Sequence, residues 1–324
     1  MKEGDNINRI SYIDSLKGIM IIFVIIGHCE RFFPHEGYLL YSTHVPLFFV
    51  LAGLFCKPFD IMFFYKTTKK ILPSYILSSI VLILSILLYC RLSSDNSIII
   101  KEHLLRCVLV DYGAYDIGPN WFLIAYLIAI PLYSALLLLL NDKRIIIACT
   151  LLFLIGEATT DYTHNIFKLN SALTALPFVC FGNLYHKYKI KTKLNHICIF
   201  FLFLLWLPNL YWGISVHLSK YPLSLLSIIS SIAISIIWLQ VGDRLNFKFF
   251  SYIGKHTLLL LCVHSIAFYL LNNVYNFIQL SLCNKYQILI VQLSYYFSVS
   301  LIALYIQHIF NKKSTTTIYN APPG

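Results

Sequence analysis

Three titratable residues begin and end the first apolar run of the chain, the stretch DSLKGIMIIFVIIGH at residues 14–28. Asp14 and Lys17 are three positions apart, which makes them neighbours on one face of a helix. The step from Lys17 to His28 is about three full helical turns, so His28 returns to the same face. At ~1.5 Å per residue, His28 lies roughly 16 Å deeper than Lys17, about half of a ~30 Å hydrocarbon core.

Such a stripe predicts a functional site, because ionisable groups inside a bilayer are costly. An imidazole at that depth is suited to proton transfer near neutral pH. On the residues alone, an interfacial Asp14–Lys17 pair with a hydrogen-bonded His28 explains the stripe equally well. Gly18 and Gly27 are expected to allow close approach of a neighbouring helix or a ligand.

Further polar groups mark four other stretches of the apolar chain. The side chains are His44 in STHVPLFFVLAG, Lys66, Lys69 and Lys70 in the loop after it, Asn120 and Trp121 in GPNWFLIAYL, and His264 in YIGKHTLLLLCVH. Each stretch also has a simpler explanation. Histidine and tryptophan occur at membrane interfaces, and lysine clusters serve as topology signals beside anionic lipid.

The elements that must hold these residues are membrane helices. The 324 residues are 58% hydrophobic and only 12% charged, whereas soluble domains carry about 25% charged residues. We predict an all-α polytopic bundle of about ten transmembrane helices. The predicted spans are residues 11–30, 40–56, 71–90, 119–140, 145–160, 170–186, 195–213, 221–241, 256–275 and 286–310.

The distribution of charge predicts the orientation of this bundle. With the N-terminus in the cytoplasm, most of the 25 lysine and arginine residues fall on the cytoplasmic side, as the positive-inside rule requires. Both termini are therefore expected to be cytoplasmic. The same asymmetry accounts for the net charge of +11 without nucleic acid as a partner. The nine cysteines are scattered singly, which supports neither a metal site nor a redox motif.

Taken together, YIDSLKGIMIIFVIIGH, HVPLFFVLAG, GPNWFLIAYL and YIGKHTLLLLCVH resemble the acyltransferase-3 family of integral membrane O-acyltransferases, and most closely its fucose 4-O-acetylase-like branch. The resemblance covers nearly the whole chain. It implies an acyltransferase-3-like transmembrane domain over residues 1–313, followed by a short disordered cytoplasmic tail over 314–324. Many members have arginine where this chain has Lys17, and often Arg-x-x-Arg where it has Lys66 and Lys69.

The resemblance also implies an activity and a place for it. It predicts transfer of an acetyl group from cytoplasmic acetyl-CoA to a sugar hydroxyl of a surface polysaccharide or its lipid-linked precursor, in the bacterial cytoplasmic membrane. Membrane lipids are the other expected partners, and no metal is expected. The expected roles are catalysis by His28 and His44, cofactor binding by Asp14, Lys17, Lys66, Lys69 and Lys70, and substrate binding by Asn120, Trp121 and His264. A transporter or flippase of a lipid-linked sugar is the alternative, and a membrane scaffold ranks third.

Overall fold

The computed structural model describes residues 3–28, 36–93, 120–163, 166–188, 194–242, 244–245, 247–264 and 285–319. Within these ranges the chain is helical between short turns and forms no β-strand, only one isolated bridge between Ser215 and Lys220. The predicted all-helical class is therefore confirmed for the described part of the chain.

The helices follow one another through short connections. They are α1 (Glu3–Gly27), α2 (Glu36–Gly53), α3 (Ile61–Ser93), α4 (Trp121–Leu139), α5 (Asp142–Thr163), α6 (Leu169–Lys187), α7 (His196–Trp212), α8 (Leu225–Gly242), α9 (Lys248–Lys255) and α10 (Lys285–Tyr319). A single 3₁₀ turn, Ile166–Lys168, links α5 to α6. After α9 the chain continues as a helical segment over 257–264.

Four stretches of the described residues are long and apolar enough to cross a membrane: Trp121–Leu139, Asp142–Thr163, Leu225–Gly242 and Leu289–His308. Leu39–Gly53 and His196–Trp212 are shorter apolar helices. Together with the family assignment below, they support a multi-pass membrane protein. The number of ten spans and the cytoplasmic position of the termini remain predictions.

Some of the sequence predictions concern residues outside the described ranges. The loop 91–119, for which an interfacial helix is possible on sequence, is described only to residue 93, and the span at 256–275 only to residue 264. α10 extends to Tyr319, into the segment that we assign to the tail. The boundary between domain and tail therefore remains a prediction.

Local signals fix both ends of α7. The side chain of Asn195 accepts a hydrogen bond from the amide of Cys198 at 2.8 Å, which caps the first turn. The helix ends at Gly213, whose φ of 69° lies in the left-handed region that glycine adopts without strain. The loop that carries the chain to α8 thus begins at a defined point.

Glycine allows α1 and α9 to touch through their backbones. A Cβ atom on Gly18 would lie 2.0 Å from the carbonyl oxygen of Phe250, and one on Gly254 would lie 1.7 Å from that of Asp14. These distances leave no room for any side chain at either position. The predicted close approach at Gly18 is confirmed, and the neighbour is α9.

A second glycine pair joins α2 to α6. A Cβ on Gly53 would lie 2.1 Å from the carbonyl oxygen of Val179, and one on Gly182 would lie 2.0 Å from that of Val50. Both contacts lie in the C-terminal halves of α2 and α6. Small residues that let backbones approach are the usual basis of helix packing in membranes, where apolar burial drives association little.

A buried amide fixes the same end of α2. Asn183 donates from Nδ2 to the carbonyl of Cys56 at 2.9 Å, and its Oδ1 accepts from the hydroxyl of Tyr133 at 3.2 Å. Both side chains are buried. The network ties the turn after α2 to α4 and α6, and it gives the Cys56 carbonyl, three residues past the end of α2, a hydrogen-bond donor.

The outer surface of the bundle is apolar. Large hydrophobic side chains are exposed along α5 and α7, among them Leu151 at 54%, Phe200 at 57% and Phe201 at 62%. A soluble protein rarely exposes so much contiguous apolar surface. These faces fit contact with lipid tails.

Candidate functional site

Three histidines meet where α1 ends. His28 follows the last residue of α1, and its ring lies 5.2 Å from that of His264, centroid to centroid. A Cβ on Gly27 would lie 3.7 Å from Cε1 of His44, so His44 is beside the same turn. His44 and His264 are almost fully buried, and His28 is partly buried. The sequence places these residues on three separate helical segments, and the fold brings them together.

The hydrogen bonding of His264 determines which of its nitrogens carries the proton. Nδ1 lies 3.1 Å from the carbonyl oxygen of Leu260. A carbonyl only accepts hydrogen bonds, so Nδ1 is the donor, and Nε2 of the neutral ring is an acceptor. Among the described residues, Nε2 has no hydrogen-bond partner. A buried acceptor without a partner is costly, and this one lies in the ring that neighbours His28.

Tyr41 closes the histidine cluster on the α2 side. Its ring centroid is 5.2 Å from that of His44 and 6.4 Å from that of His28, and its hydroxyl donates to the carbonyl of Gly27 at 3.3 Å. The hydrogen bond satisfies a carbonyl at the end of α1. Tyr41 is a residue of the site that our sequence analysis missed, since no charge distinguishes it from the many other aromatic residues.

The other end of the α1 stripe lies against α9. Asp14 and Lys17 form an ion pair at 3.6 Å, with side chains 13% and 35% exposed. Gly254 of α9 packs on the backbone of Asp14, and the same segment continues to His264 beside His28. One stretch of chain, 247–264, therefore follows the stripe from end to end, which agrees with the predicted common face of its three residues.

The lysines after α2 lie apart from the histidines. Lys66, Lys69 and Lys70 are exposed on the first turns of α3, and the Lys69 ammonium lies 5.9 Å from the centre of the Tyr65 ring. His44 lies nine residues, about two and a half helical turns, before the end of α2, and Lys66 follows that end by 13 residues. The structure does not bring these side chains to the histidine cluster, and their cofactor role remains a prediction.

Asn120 and Trp121 lie at the start of α4 among further polar groups. The Trp121 ring is 4.9 Å from the ring of His217, whose Nε2 is 3.2 Å from Nζ of Lys168. Lys168 and Asn120 are fully buried. Both amide atoms of Asn120 lack a hydrogen-bond partner among the described residues. The sequence analysis singled out neither Lys168 nor His217, because nothing in the sequence places them beside Trp121.

One left-handed residue and a folded-back loop build this second polar cluster. Lys168 has a φ of 56°, a left-handed conformation that turns the chain sharply into α6. His217 lies in the turn between Ser215 and Lys220, whose backbones exchange two hydrogen bonds of 2.9 Å. The Ser171 hydroxyl donates to the carbonyl of His217 at 2.8 Å and fixes the turn against α6.

Two other features contribute less to the site. Glu157, an acid that requires a partner, accepts a hydrogen bond from the Ser224 hydroxyl at 2.6 Å. A groove of about 580 Å³ between α1, α2, α7 and α8 is lined mostly by aromatic and aliphatic side chains, and none of the three clustered histidines lines it. No group of side chains that could hold a metal ion occurs in the described ranges.

Comparison with known proteins gives one result of substance. No curated protein and no solved structure matches the chain. The model of one protein family, an acyltransferase domain, matches residues 10–308 and thus nearly the whole sequence. That range contains the three clustered histidines, the Asp14–Lys17 pair and the polar residues around Trp121. The chain therefore belongs to the acyltransferase-3 family of membrane acyltransferases.

Proposed function

We propose that this protein transfers an acetyl group from acetyl-CoA to a hydroxyl of a sugar in a cell-surface polysaccharide or its lipid-linked precursor. The observation that carries the proposal is the meeting of His28, His44 and His264 inside an apolar bundle. Acyl transfer to a hydroxyl needs a group that takes up a proton near neutral pH, and imidazole is suited to that role.

In the proposed reaction His28 is the general base. It takes the proton of the sugar hydroxyl as the oxygen attacks the thioester carbonyl. The C–S bond then breaks, and the proton passes to the sulfur of CoA. His264 stabilises the protonated state of His28, because its Nε2 is an acceptor without another described partner and the two rings are neighbours. We assign His44 as the hydrogen-bond donor to the oxyanion, which is stabilised most strongly where water is excluded.

The donor is expected to enter at the opposite end of the α1 stripe. There Lys17 is partly exposed and held by Asp14, and its ammonium can attract the phosphates of CoA as a point charge. Lys66, Lys69 and Lys70 are exposed cations near the start of α3 and extend the positive charge at this end. We place the protein in the bacterial cytoplasmic membrane, where acetyl-CoA is available on the cytoplasmic side and nascent glycans on the other.

The test is acetyl transfer by purified protein in lipid nanodiscs. Radiolabelled acetyl-CoA is supplied together with glycan extracted from the host envelope, and both CoA release and labelled glycan are measured. His28→Ala is expected to abolish both signals while its elution profile and melting temperature stay those of the wild type. His196→Ala, which changes an exposed histidine on α7, is the matched control and should remain active.

The outcomes separate acyl transfer from its alternative. A transporter or flippase of a lipid-linked sugar would release no CoA, whatever glycan is present. Labelled glycan at the wild-type rate in His28→Ala would show that another group is the base. If His28→Ala loses both activity and folding, the same assay is made with His28→Gln, which keeps a side chain of similar length without a basic nitrogen.

A further inference from the structure

The apolar groove of about 580 Å³ between α1, α2, α7 and α8 lies next to the histidine cluster. We infer that the groove holds the isoprenoid chain of a lipid-linked acceptor, with the polar head of that lipid at the end of the groove nearest the histidines. This inference rests on the proposed function. It chooses the lipid-linked precursor over the polysaccharide, because a polysaccharide released from its carrier has no such chain.

The groove has the lining and the size of a site for a hydrocarbon chain. Its walls are mostly aromatic and aliphatic, with Phe23 on α1, Phe203 on α7 and Trp238 on α8. Its volume falls within the range of about 300–1,000 Å³ that is typical of small-molecule sites. Leu39 and Phe203 are 39% and 43% exposed, so the groove is open to the apolar outer surface of the bundle. A lipid chain can therefore enter it sideways from the bilayer.

The surroundings of the groove become polar toward one end. On α7 the lining ends at Trp206, whose Nε1 donates to the hydroxyl of Ser42 at 3.0 Å. On α8 the lining begins at Ile234, and one turn before it the hydroxyl of Ser231 accepts from Nδ2 of Asn209 at 2.9 Å. An amphiphile matches this gradient when its chain lies in the groove and its head lies at the Trp206 end.

The polar end of the groove is level with the histidine cluster on α2. Ser42, which Trp206 contacts, is in the same turn of α2 as His44. Thr43, between the two, lines the groove. One turn of helix therefore contributes both to the groove and to the cluster.

The same relation holds on α1. Phe23 lines the groove five residues before His28, a rise of about 7–8 Å along the helix axis. α1 ends at Gly27, so a head group at this end of the groove lies beside the end of the helix that carries His28. One amphiphile can thus keep its chain in the groove and extend its first sugars toward the histidines.

Rigid walls favour an isoprenoid chain over the acyl chain of a phospholipid. Burial distinguishes the two little, because both come from lipid that is as apolar as the groove. An isoprenoid chain has a fixed double bond in each isoprene unit, so less conformational freedom is lost when it is held. The Phe23 ring packs edge-on against Trp238 with centroids 5.6 Å apart, and a hydrogen bond fixes Trp206. The groove therefore has a defined shape that a stiffer chain can match.

The test is photolabelling of the full chain in phosphatidylcholine nanodiscs without acetyl-CoA. The probe is farnesyl phosphate with a diazirine at the far end of its chain, and labelled positions are identified by mass spectrometry. We expect label near Ile199 and Val241, at the end of the groove away from Trp206. The outer face of α5, where Leu151 is 54% exposed, reports contact with bulk lipid and should be labelled much less.

Competition then identifies the class of chain. Unlabelled farnesyl phosphate should lower the labelling about tenfold at a concentration where dodecyl phosphate lowers it little. Dodecyl phosphate has the same head group and a main chain of the same length, but the chain is saturated and unbranched. Phosphatidylglycerol added to the nanodiscs should also lower the labelling little.

Variants locate the site. Ile237→Trp places a large ring in the groove and should lower the labelling about tenfold. Ile229→Trp is the matched control, because it makes the same change on α8 at a residue that is 49% exposed and does not line the groove. If Ile237→Trp does not fold, Leu39→Trp replaces it, since Leu39 lines the groove from α2 and is partly exposed.

Four results would overturn the inference. They are equal labelling of the outer face of α5, label at the Trp206 end of the groove, equal competition by dodecyl phosphate, and labelling that survives in the folded groove variant or falls equally in Ile229→Trp. None of them requires acyl transfer, so failure of the lipid site is distinguished from failure of the proposed reaction. Groove labelling in a protein that never releases CoA would support the lipid site and refute the acyl transfer.

Discussion

The contact between α1 and α9 provides the sharpest test of how the fold holds its histidines. A methyl group at Gly18 would lie 2.0 Å from the carbonyl oxygen of Phe250, and real Cβ atoms essentially never come within 3.0 Å of another atom. Gly18→Ala therefore requires the backbones of α1 and α9 to move about 1 Å farther from each other. The same segment continues to His264, so the change also moves His264 relative to His28.

The loss of stability and the loss of catalytic rate can each be estimated. Overpacking of a tight contact costs about 1–3 kcal/mol, which lowers the melting temperature by roughly 2–10 °C in a chain of this size. A misplacement of about 1 Å between catalytic groups costs on the order of 100-fold in rate. We expect Gly18→Ala to lose both stability and acyl transfer by these amounts.

Gly27→Ala is the matched control, because it adds the same methyl group to the same helix. Its nearest neighbours would be side-chain atoms of His44 and Tyr41 at 3.7 Å, an ordinary contact. The assays are thermal unfolding followed by tryptophan fluorescence and CoA release in nanodiscs. Equal melting temperatures for Gly18→Ala and Gly27→Ala would refute the argument that the backbone contact positions the site.

Three further predictions concern the rest of the bundle. Asn183→Leu should lower the free energy of unfolding by about 2–4 kcal/mol, because it leaves the Cys56 carbonyl and the Tyr133 hydroxyl without partners; Tyr133→Phe should cost about 1 kcal/mol, and chemical unfolding that finds the two equal would contradict the network. Lys66→Gln with Lys69→Gln should raise the KM for acetyl-CoA severalfold with little change in melting temperature, because both lysines are exposed; an unchanged KM leaves them as topology signals. Lys187→Met breaks an exposed ion pair with Asp142, and calorimetric unfolding should detect little or no change in melting temperature, because exposed ion pairs contribute little to stability.

The sequence by itself determined the class of fold and the approximate position of most helices. Long apolar runs can satisfy their backbone groups in a membrane only as helices or closed barrels, and these runs have the length of helices. The predicted spans at 119–140, 195–213 and 221–241 agree with α4, α7 and α8 within a few residues. The face shared by Asp14, Lys17 and His28 also followed from helical periodicity, which is a local property of the chain.

Only the tertiary structure decided which distant groups meet. Spacing along the chain gives no measure of the distance between helices, so the sequence could not pair His28 with His264 at 5.2 Å or place Tyr41 against both His28 and His44. The proton position on His264 likewise depends on the carbonyl of Leu260, which comes within reach of the ring only once that segment is helical.

The second polar cluster shows the same limit most clearly. Lys168 and His217 are single residues in connections that the sequence presents as outer loops. Their meeting depends on a left-handed turn at Lys168 and on a loop that folds back to pack His217 against Trp121. Local sequence encodes each helix, whereas the packing of helices against one another, set here by glycine contacts and buried amides, determines which polar residues share a site.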